Sequence, residues 1–205
     1  MSVHDAAALP LAGLTALQAL RDLGQVSAGK HVLVFGASGG VGHFAVQIVK
    51  SYEAHVTAVC SGPHIDMVRG LGADHVIDYT KQSDFRSMQP YDIVLDSVVQ
   101  QPVRVLLPHM AGDGVYVSSL PSLGRIACAC LLPVYSKRRV RVVRVKPSGD
   151  DLDQLRILYE ASRLLPTIDR VFPLEELAAA HAYSQQGRTA GKMVIAVSDR
   201  LSSQE

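Results

Sequence analysis

Several features that mark special classes of protein are missing or scarce in this sequence. It has no tryptophan, three cysteines and a net charge of +1 in 205 residues. No apolar run approaches the roughly 20 residues needed to cross a bilayer, and the start lacks both the basic segment of a secretory signal and the arginines of a transit peptide. The balanced charge indicates no polyanionic partner. We therefore expect a cytoplasmic chain with no membrane span and no nucleic-acid partner.

The cysteines predict no metal site and no disulfide. Cys60, Cys128 and Cys130 are odd in number and lie inside apolar segments, which is typical of reduced, buried thiols. The C-x-C pair at 128 and 130 has no second ligand pair at zinc spacing.

Short β-branched runs alternate with helical patterns from residue 31 onward. Six runs are typical of strands: 31–36, 55–60, 75–79, 91–96, 114–119 and 140–146. The first and fourth are almost continuously apolar, as expected for strands covered on both faces. This alternation predicts right-handed βαβ units and an α/β fold with a Rossmann-type, doubly wound six-stranded parallel sheet. Helical patterns at 150–165 and 174–186 and a last strand at 192–197 predict an appended C-terminal segment.

The glycines between the first strand and its helix resemble a phosphate-binding turn. Residues 34–50 read VFGASGGVGHFAVQIVK, which fits A-x-G-x-x-G with Ala37, Gly39 and Gly42. Glycine at 39 would let the backbone approach a pyrophosphate, and glycine at 42 would let the helix pack closely on the sheet. The phosphates would meet the positive end of the helix. The alternative is a tight strand-to-helix turn that binds nothing.

The end of the second strand bears on the choice of cofactor. An NAD site usually has an acidic residue there, which holds the ribose hydroxyls. This chain has CSGPH at 60–64 instead, with no acid before Asp66. Ser61 and His64 could donate hydrogen bonds to a 2′-phosphate, so we favour NADP(H) over NAD(H). An exposed loop histidine is an equal alternative for His64.

The basic run KRRVRVVRVK at 137–146 is either an edge strand or a nucleic-acid-binding patch. Its valines favour an edge strand whose charges block unwanted pairing, and the neutral overall charge argues against a nucleic-acid patch.

Taken together, several segments resemble one family. ALPLAGLTALQAL, FGASGGVGHFAVQIVK, LGADHVIDY, YDIVLDSV, GVYVSS and TAGKMVIAV are similar to the quinone oxidoreductase branch of the medium-chain dehydrogenases/reductases, in particular its zeta-crystallin-like and chloroplast-envelope members. The resemblance implies a zinc-independent enzyme that reduces quinones or activated enones with a hydride from NADPH.

The resemblance also implies a set of cofactor-binding residues. Thr15 would lie near the nicotinamide, and Tyr79 would join Ser61 and His64 at the 2′-phosphate. The pyrophosphate would be held by Gly36, Ser38, Gly39, Gly40, Val41 and Gly42. The ribose and nicotinamide would be lined by Ser97, Val98, Ser118, Ser119 and Leu120. No catalytic residue is assigned, because members of this branch often lack a dedicated acid or base.

The sequence departs from the family in one large respect, the domain that forms one side of the substrate cleft. Family members begin with a separate β-rich catalytic domain, whereas the first family segment here begins near Ala6. We expect residues 1–148 to form the NADP(H)-binding domain, with a lead-in helix at 1–30 and the sheet from 31. Residues 149–205 would supply helices and a strand that in the family return to the catalytic domain. The chain would then be a truncated cofactor half, completed by a homo-oligomer or a partner chain.

Three functions remain open from the sequence. The first is an NADPH-dependent quinone or enone oxidoreductase, or the cofactor-binding part of one. The second is a non-catalytic NADP(H)-binding module acting in an assembly or as a redox sensor. A methyltransferase is disfavoured, because the second strand does not end in the acid that an adenosyl ribose usually needs.

Overall fold

Six β-branched runs pair as the strands of one parallel sheet. The computed structural model describes residues 1–81, 85, 89–98, 102–120 and 136–197. In chain order the strands are β1 His31–Phe35, β2 His55–Cys60, β3 His75–Asp78, β4 Tyr91–Asp96, β5 Met110–Ser118 and β6 Arg139–Val142. Their spatial order is β3-β2-β1-β4-β5-β6, with every pair parallel. This confirms the predicted Rossmann-type, doubly wound sheet.

The central strands are apolar on both sides, so both faces of the sheet are covered. In β1, Val32 and Val34 belong to one apolar core, whereas Leu33 and Phe35 belong to the other. All four side chains are at most 4% exposed. This two-sided burial is why the strand reads as a continuous apolar run in the sequence.

Within the described residues, six α-helices accompany the strands. They are α1 Val3–Gln18, α2 Gly42–Ser51, α3 Ile65–Gly70, α4 Val103–Leu106, α5 Gly149–Glu160 and α6 Leu177–Gln185. Helix α1 begins after Ser2, whose hydroxyl accepts a hydrogen bond from the N–H of Asp5 at 3.1 Å, and it continues as a π-helical turn over Ala19–Leu23. Among the helices that the structure describes, none combines the length and apolar character that a membrane span requires.

The C-terminal segment forms a second, two-stranded sheet. Strand β7, Ile168–Pro173, pairs in parallel with β8, Lys192–Ala196, and α6 lies between them in the chain. Strand β8 confirms the predicted strand at 192–197, whereas the sequence pattern does not predict β7. The predicted helix at 150–165 ends at Glu160, because Ser162 takes up a left-handed conformation with a φ of 55°.

A buried polar cluster joins α5 to α1. The carboxylate of Asp151, a residue only 7% exposed, accepts hydrogen bonds from Arg21 Nη1 at 2.7 Å and Gln18 Nε2 at 2.8 Å. Gln18 also donates to the carbonyl of Lys146 and accepts from its N–H. Leu155 of α5 is fully buried in the same apolar core as α1 and α2. The domain division at residue 148 stays a prediction, and this cluster bridges it.

The basic run lies on and beside the outer strand of the sheet. Among the strands that the structure describes, β6 pairs with β5 alone, so the edge-strand prediction is confirmed. Val140 is buried and Arg141 is exposed, as the alternation of an edge strand requires. Arg138 donates hydrogen bonds to the carbonyls of Met110 and Ala111, both at 3.0 Å. The strand ends at Val142 rather than at 146.

Candidate functional site

The carboxyl ends of β1 to β4 meet at a cleft of about 560 Å³. Its walls come from the turn after β1, the ends of β2 and β3, Val98 after β4 and residues 187–189 before β8. The strand order reverses between β1 and β4, and open parallel sheets bind their ligands at such a point.

Glycines shape the turn between β1 and α2. Gly36 has a φ of 69°, and a Cβ on it would overlap Val98 Cγ1. A Cβ on Gly42 would overlap the carbonyl oxygen of Gly36. At Gly39 the Cβ position is less crowded, since the nearest described atom, Gly36 O, is 3.3 Å away. The turn therefore packs tightly against the sheet at Gly36 and Gly42, and Gly39 lines the cleft.

A buried histidine fixes one peptide of this turn. Gly39 O accepts a hydrogen bond from the N–H of His43 at 3.1 Å, and His43 Nδ1 lies 2.9 Å from the same oxygen. Burial lowers the pKa of His43 to about 4, so the ring is neutral at physiological pH and Nδ1–H donates to Gly39 O. Because C=O and N–H point in opposite directions across a trans peptide, the N–H of Gly40 is directed away from the helix.

Three polar side chains gather at the far side of the turn. His64 Nδ1 lies 3.1 Å from Ser38 Oγ and 3.4 Å from Ser61 Oγ. Ser38 belongs to the glycine turn, whereas Ser61 and His64 follow β2, so the fold brings two separate segments together here. All three side chains are partly exposed and line the cleft. They can present hydroxyl and imidazole groups to an anionic ligand.

An acidic side chain lies next to this cluster at the end of β3. Asp78 Oδ1 accepts hydrogen bonds from the hydroxyl of Thr80 at 2.7 Å and from its N–H at 3.0 Å. The Thr80 hydroxyl bond lowers the pKa of Asp78 below its usual range. Asp78 Oδ2 lies 3.8 Å from Lys81 Nζ. Thr80 thus occupies Oδ1, whereas Oδ2 is buried and has no hydrogen-bond partner among the described residues.

Cys60 also lines the cleft, as a neutral thiol. Burial raises its pKa to about 11, and the charge of Asp78 acts in the same direction. The thiolate that reactive cysteines require is therefore scarce at physiological pH. The prediction of a buried, reduced thiol is confirmed for Cys60, while Cys128 and Cys130 lie outside the described residues.

The C-terminal segment reaches over the glycine turn. The N–H of Gly191 donates a hydrogen bond to the carbonyl of Ser38 at 2.7 Å. The side chain of Lys192 covers Gly40, since its Cδ would lie 3.2 Å and its Nζ 3.7 Å from a Cβ there. Arg188 is exposed and lines the cleft itself. Two cationic side chains therefore come to the site from a part of the chain remote from the turn.

Comparison with known proteins identifies the family. Residues 71–195 match the family model described as zinc-binding dehydrogenase. The chain belongs to this family. It lies within the medium-chain dehydrogenases/reductases, which confirms the resemblance seen in the sequence.

Relatives of this chain include oxidoreductases from animals, plants and bacteria. It is 34% identical to a mitochondrial NAD(P)H oxidoreductase of Homo sapiens, over 94% of this chain and 55% of the relative. It is 34% identical to a chloroplast envelope quinone oxidoreductase homolog of Arabidopsis thaliana, over 93% of this chain and 61% of the relative. The structure of a quinone oxidoreductase from Coxiella burnetii superposes with a TM-score of 0.88 at 31% identity, covering 97% of this chain and 62% of that one.

The chain corresponds to only part of each relative, so the activity of a whole relative cannot be assigned to it directly. The chain spans between 55% and 62% of the length of the three relatives. Two of them are named for the mitochondrion and the chloroplast, so the cytoplasmic location stays a prediction.

The family description names zinc, but the described part of this chain does not fit a zinc ion. Within residues 1–81, 85, 89–98, 102–120 and 136–197, no three His, Cys, Asp or Glu side chains are grouped as metal ligands. We derive no step through a metal, and zinc independence stays a prediction.

The structure distributes the predicted cofactor residues in three places. One group lines the cleft: Gly36, Ser38, Gly39, Ser61, His64, Tyr79 and Val98. A second completes the glycine turn or follows β4 and β5 along the same edge of the sheet: Gly40, Val41, Gly42, Ser97, Ser118, Ser119 and Leu120. Thr15 lies on α1, outside the cleft lining, where its hydroxyl donates to Leu11 O at 2.6 Å. The roles assigned to these residues stay predictions.

The loops after β4 and β5 are fastened to each other and to β1. Ser97 Oγ donates to Phe35 O at 2.6 Å, and the N–H of Ser119 donates to Asp96 O at 3.1 Å. Ser118 Oγ donates to Leu120 O at 2.9 Å. The N–H groups of Ser97, Val98, Ser119 and Leu120 also donate within these loops, so the contacts hold the two loops in a fixed conformation at the edge of the sheet.

Sequence reasoning missed Arg188 and Lys192. Arg188 directly precedes the TAGKMVIAV segment that contributed to the family resemblance and Lys192 lies within it, so GRTAGK brings two cations within five residues. That pairing was the available signal. Its meaning depends on β8 starting beside the glycine turn, which the pattern does not predict.

Proposed function

We propose that this chain is the cofactor-binding part of an NADPH-dependent oxidoreductase that transfers a hydride to a quinone or activated enone. The observation that carries the proposal is that Gly39, in the glycine turn, lines a cleft that Arg188 also lines. A dinucleotide pyrophosphate needs both features, an approachable backbone and a compensating positive charge. The names of the relatives agree with this chemistry.

Different residues of this chain would bind different parts of the cofactor. The pyrophosphate would meet the N–H groups of the turn, with Arg188 and Lys192 supplying charge from the C-terminal segment. The 2′-phosphate would lie against Ser61 and His64. When bound, the nicotinamide would supply the hydride. The neutral ring of His43 would keep the Gly39 peptide in its orientation, so that the turn needs no rearrangement on binding.

A second wall for the acceptor is part of the proposal. Hydride transfer requires the acceptor to be held against the nicotinamide, and positioning is much of what such an enzyme contributes. The C-terminal segment exposes several apolar side chains, each at least 40% exposed: Val171, Leu174, Leu177 and Val197. Such a surface favours burial against another polypeptide, so we propose that a second copy or a separate partner chain completes the cleft.

Titration with NADPH tests the proposal directly. We expect NADPH fluorescence to change on binding, and a panel of quinones and enones added to the same sample to consume the cofactor. Binding without consumption would favour the second candidate, a non-catalytic NADP(H)-binding module, or would indicate that the second wall is missing. If NADPH does not bind, the glycine turn is only a connection between strand and helix and the proposal is wrong.

Replacing Arg188 by glutamine tests whether the positive charge of this side chain contributes to cofactor binding. We expect the dissociation constant for NADPH to rise about tenfold, because a charge-assisted contact to phosphate is worth about 1.5 kcal/mol or more. The melting temperature should not change, since the side chain is exposed. The matched control is Arg163→Gln, an exposed arginine that lines a different cleft beside α2. Equal NADPH affinity in the two variants would contradict a role for Arg188.

A further inference from the structure

We propose that His64 makes the choice between NADP(H) and NAD(H) depend on pH, with the preference for the phosphorylated cofactor increasing as the solution becomes more acidic. The inference rests on the proposed function and adds a form of regulation to the same site. Histidine is the side chain whose ordinary pKa lies within the physiological range, so a histidine at a phosphate contact changes its charge where a lysine would not.

The geometry determines which ring nitrogen is available. His64 Nδ1 lies within 3.1 Å of Ser38 Oγ and 3.4 Å of Ser61 Oγ, so the two hydroxyls occupy that side of the ring. Among the described residues, Nε2 has no hydrogen-bond partner. Because Nδ1 faces the two serine hydroxyls, Nε2–H can donate a hydrogen bond to a ligand in the cleft. Protonation of the ring would add a full positive charge to that contact.

The charged and titratable groups around His64 do not cancel the positive charge that its protonation would add. On α3, Asp66 and Arg69 pair with each other at 3.4 Å, and both side chains are mostly exposed. On the β3 end, Asp78 is bonded to Thr80 and lies near Lys81. The remaining titratable groups lining this part of the cleft are the neutral thiol of Cys60, the phenol of Tyr79 and the guanidinium of Arg188. Among the described residues, Asp66 and Asp78 are the carboxylates here that would oppose a phosphate, and each lies beside a cation, Arg69 at 3.4 Å and Lys81 at 3.8 Å.

The proton balance follows from the two cofactors. A 2′-phosphate is a dianion above its second pKa of about 6, and it favours the protonated form of an adjacent imidazole. Binding of the phosphorylated cofactor above pH 6.5 therefore takes up as much as one proton from solvent. The unphosphorylated cofactor has a hydroxyl at this position and takes up none. Linkage of one proton limits the change in relative affinity to tenfold for each pH unit.

The test measures dissociation constants for NADP⁺ and NAD⁺ by calorimetry between pH 6.5 and 8.5 at constant ionic strength. The oxidised forms are used because they are stable at the acidic end. We expect the preference for NADP⁺ over NAD⁺ to fall about tenfold over this range, within the limit that linkage sets. Repeating the pH 7.5 titration in buffers of different ionisation enthalpy should show proton uptake with NADP⁺ only.

Three variants identify the group responsible. His64→Lys keeps a cation, so the preference for NADP⁺ should persist and become independent of pH. His64→Gln keeps a hydrogen-bond donor without the charge, so both the pH dependence and most of the preference should disappear. His75→Gln removes an exposed histidine at the opposite end of β3 and should behave like the natural chain.

The outcomes separate this inference from the proposed function. If NADP⁺ binds with a preference that does not change with pH, or if His64→Gln keeps the pH dependence, the inference is wrong while the proposed function stands. If neither cofactor binds to the natural chain, both are wrong. Loss of binding of both cofactors in His64→Gln and in His64→Lys alike would assign His64 a structural role and would also overturn the inference.

Discussion

Alanine at position 42 is expected to lower the free energy of unfolding by about 3 kcal/mol and to abolish NADPH binding. The added Cβ would overlap Gly36 O and lie 2.7 Å from Ala37 Cα. Both obstacles are backbone atoms, so no side-chain rotation can make room. Either α2 moves away from β1 or the turn opens, and each change displaces the N–H groups that face the cleft. Urea unfolding and NADPH titration measure the two effects.

A second glycine provides the matched control. Gly70 lies in α3, and a Cβ on it would have no atom within 4 Å. Gly70→Ala should therefore leave NADPH affinity unchanged and stabilise the chain slightly, because alanine is the better helix former. Normal NADPH binding by Gly42→Ala would contradict our description of the turn. Loss of binding in Gly70→Ala as well would mean that the assay reports general instability.

Asp151→Asn is expected to reduce the free energy of unfolding at pH 7 by about 2 kcal/mol, because it removes the charge from a largely buried carboxylate that two side chains contact. The Arg21 guanidinium, and after it the Gln18 amide, hold the pKa of Asp151 below its usual range. Since the folded-state pKa is depressed, the stabilisation is fully present above the ordinary aspartate value near 3.9 and is lost as pH falls through the folded-state pKa. The difference between the natural chain and the variant should therefore shrink below about pH 4.

Urea unfolding at pH 7, 5, 4 and 3 measures this dependence. The control is Asp153→Asn on the same helix, where the carboxylate is 69% exposed and pairs with Arg156 at 3.3 Å. An exposed pair of this kind contributes little, so this variant should stay within about 0.5 kcal/mol of the natural chain at every pH. A constant difference for Asp151→Asn from pH 7 to pH 3 would show that its effect is not electrostatic.

The six-stranded sheet could be predicted because its strands carry their own signal. β1 and β4 are apolar on both faces, and each is followed by a segment with a different period. Strand β7 had no such signal, since Asp169 and Arg170 interrupt its apolar residues and its strand conformation comes from pairing with β8. A local sequence pattern predicts strands and helices that bury an apolar face against the main sheet. A strand such as β7, which forms by pairing with one distant segment, can be recognised only once the tertiary structure is known.

The same distinction holds at the site. The glycine turn was predictable because its residues are consecutive and the chemistry of each depends on its neighbours. The approach of His64 to Ser38 depends on the parallel pairing of β1 with β2, which the fold prediction already contained. Arg188 and Lys192 reach the turn only because Gly191 bonds to Ser38 O, a contact between segments more than 150 residues apart in the sequence.

That bond between Gly191 and Ser38 has a consequence for dissecting the chain. A shortened version that stops after β6 would keep all six strands of the main sheet, yet it would lack both cations and the contact that anchors the carbonyl side of the turn. It would also lose α5, whose Leu155 is fully buried in the core with α1 and α2, and the contacts of Asp151 with Gln18 and Arg21. The segment after β6 therefore contributes both to the core of the sheet and to the proposed cofactor site, so shortening the chain would disturb the two together.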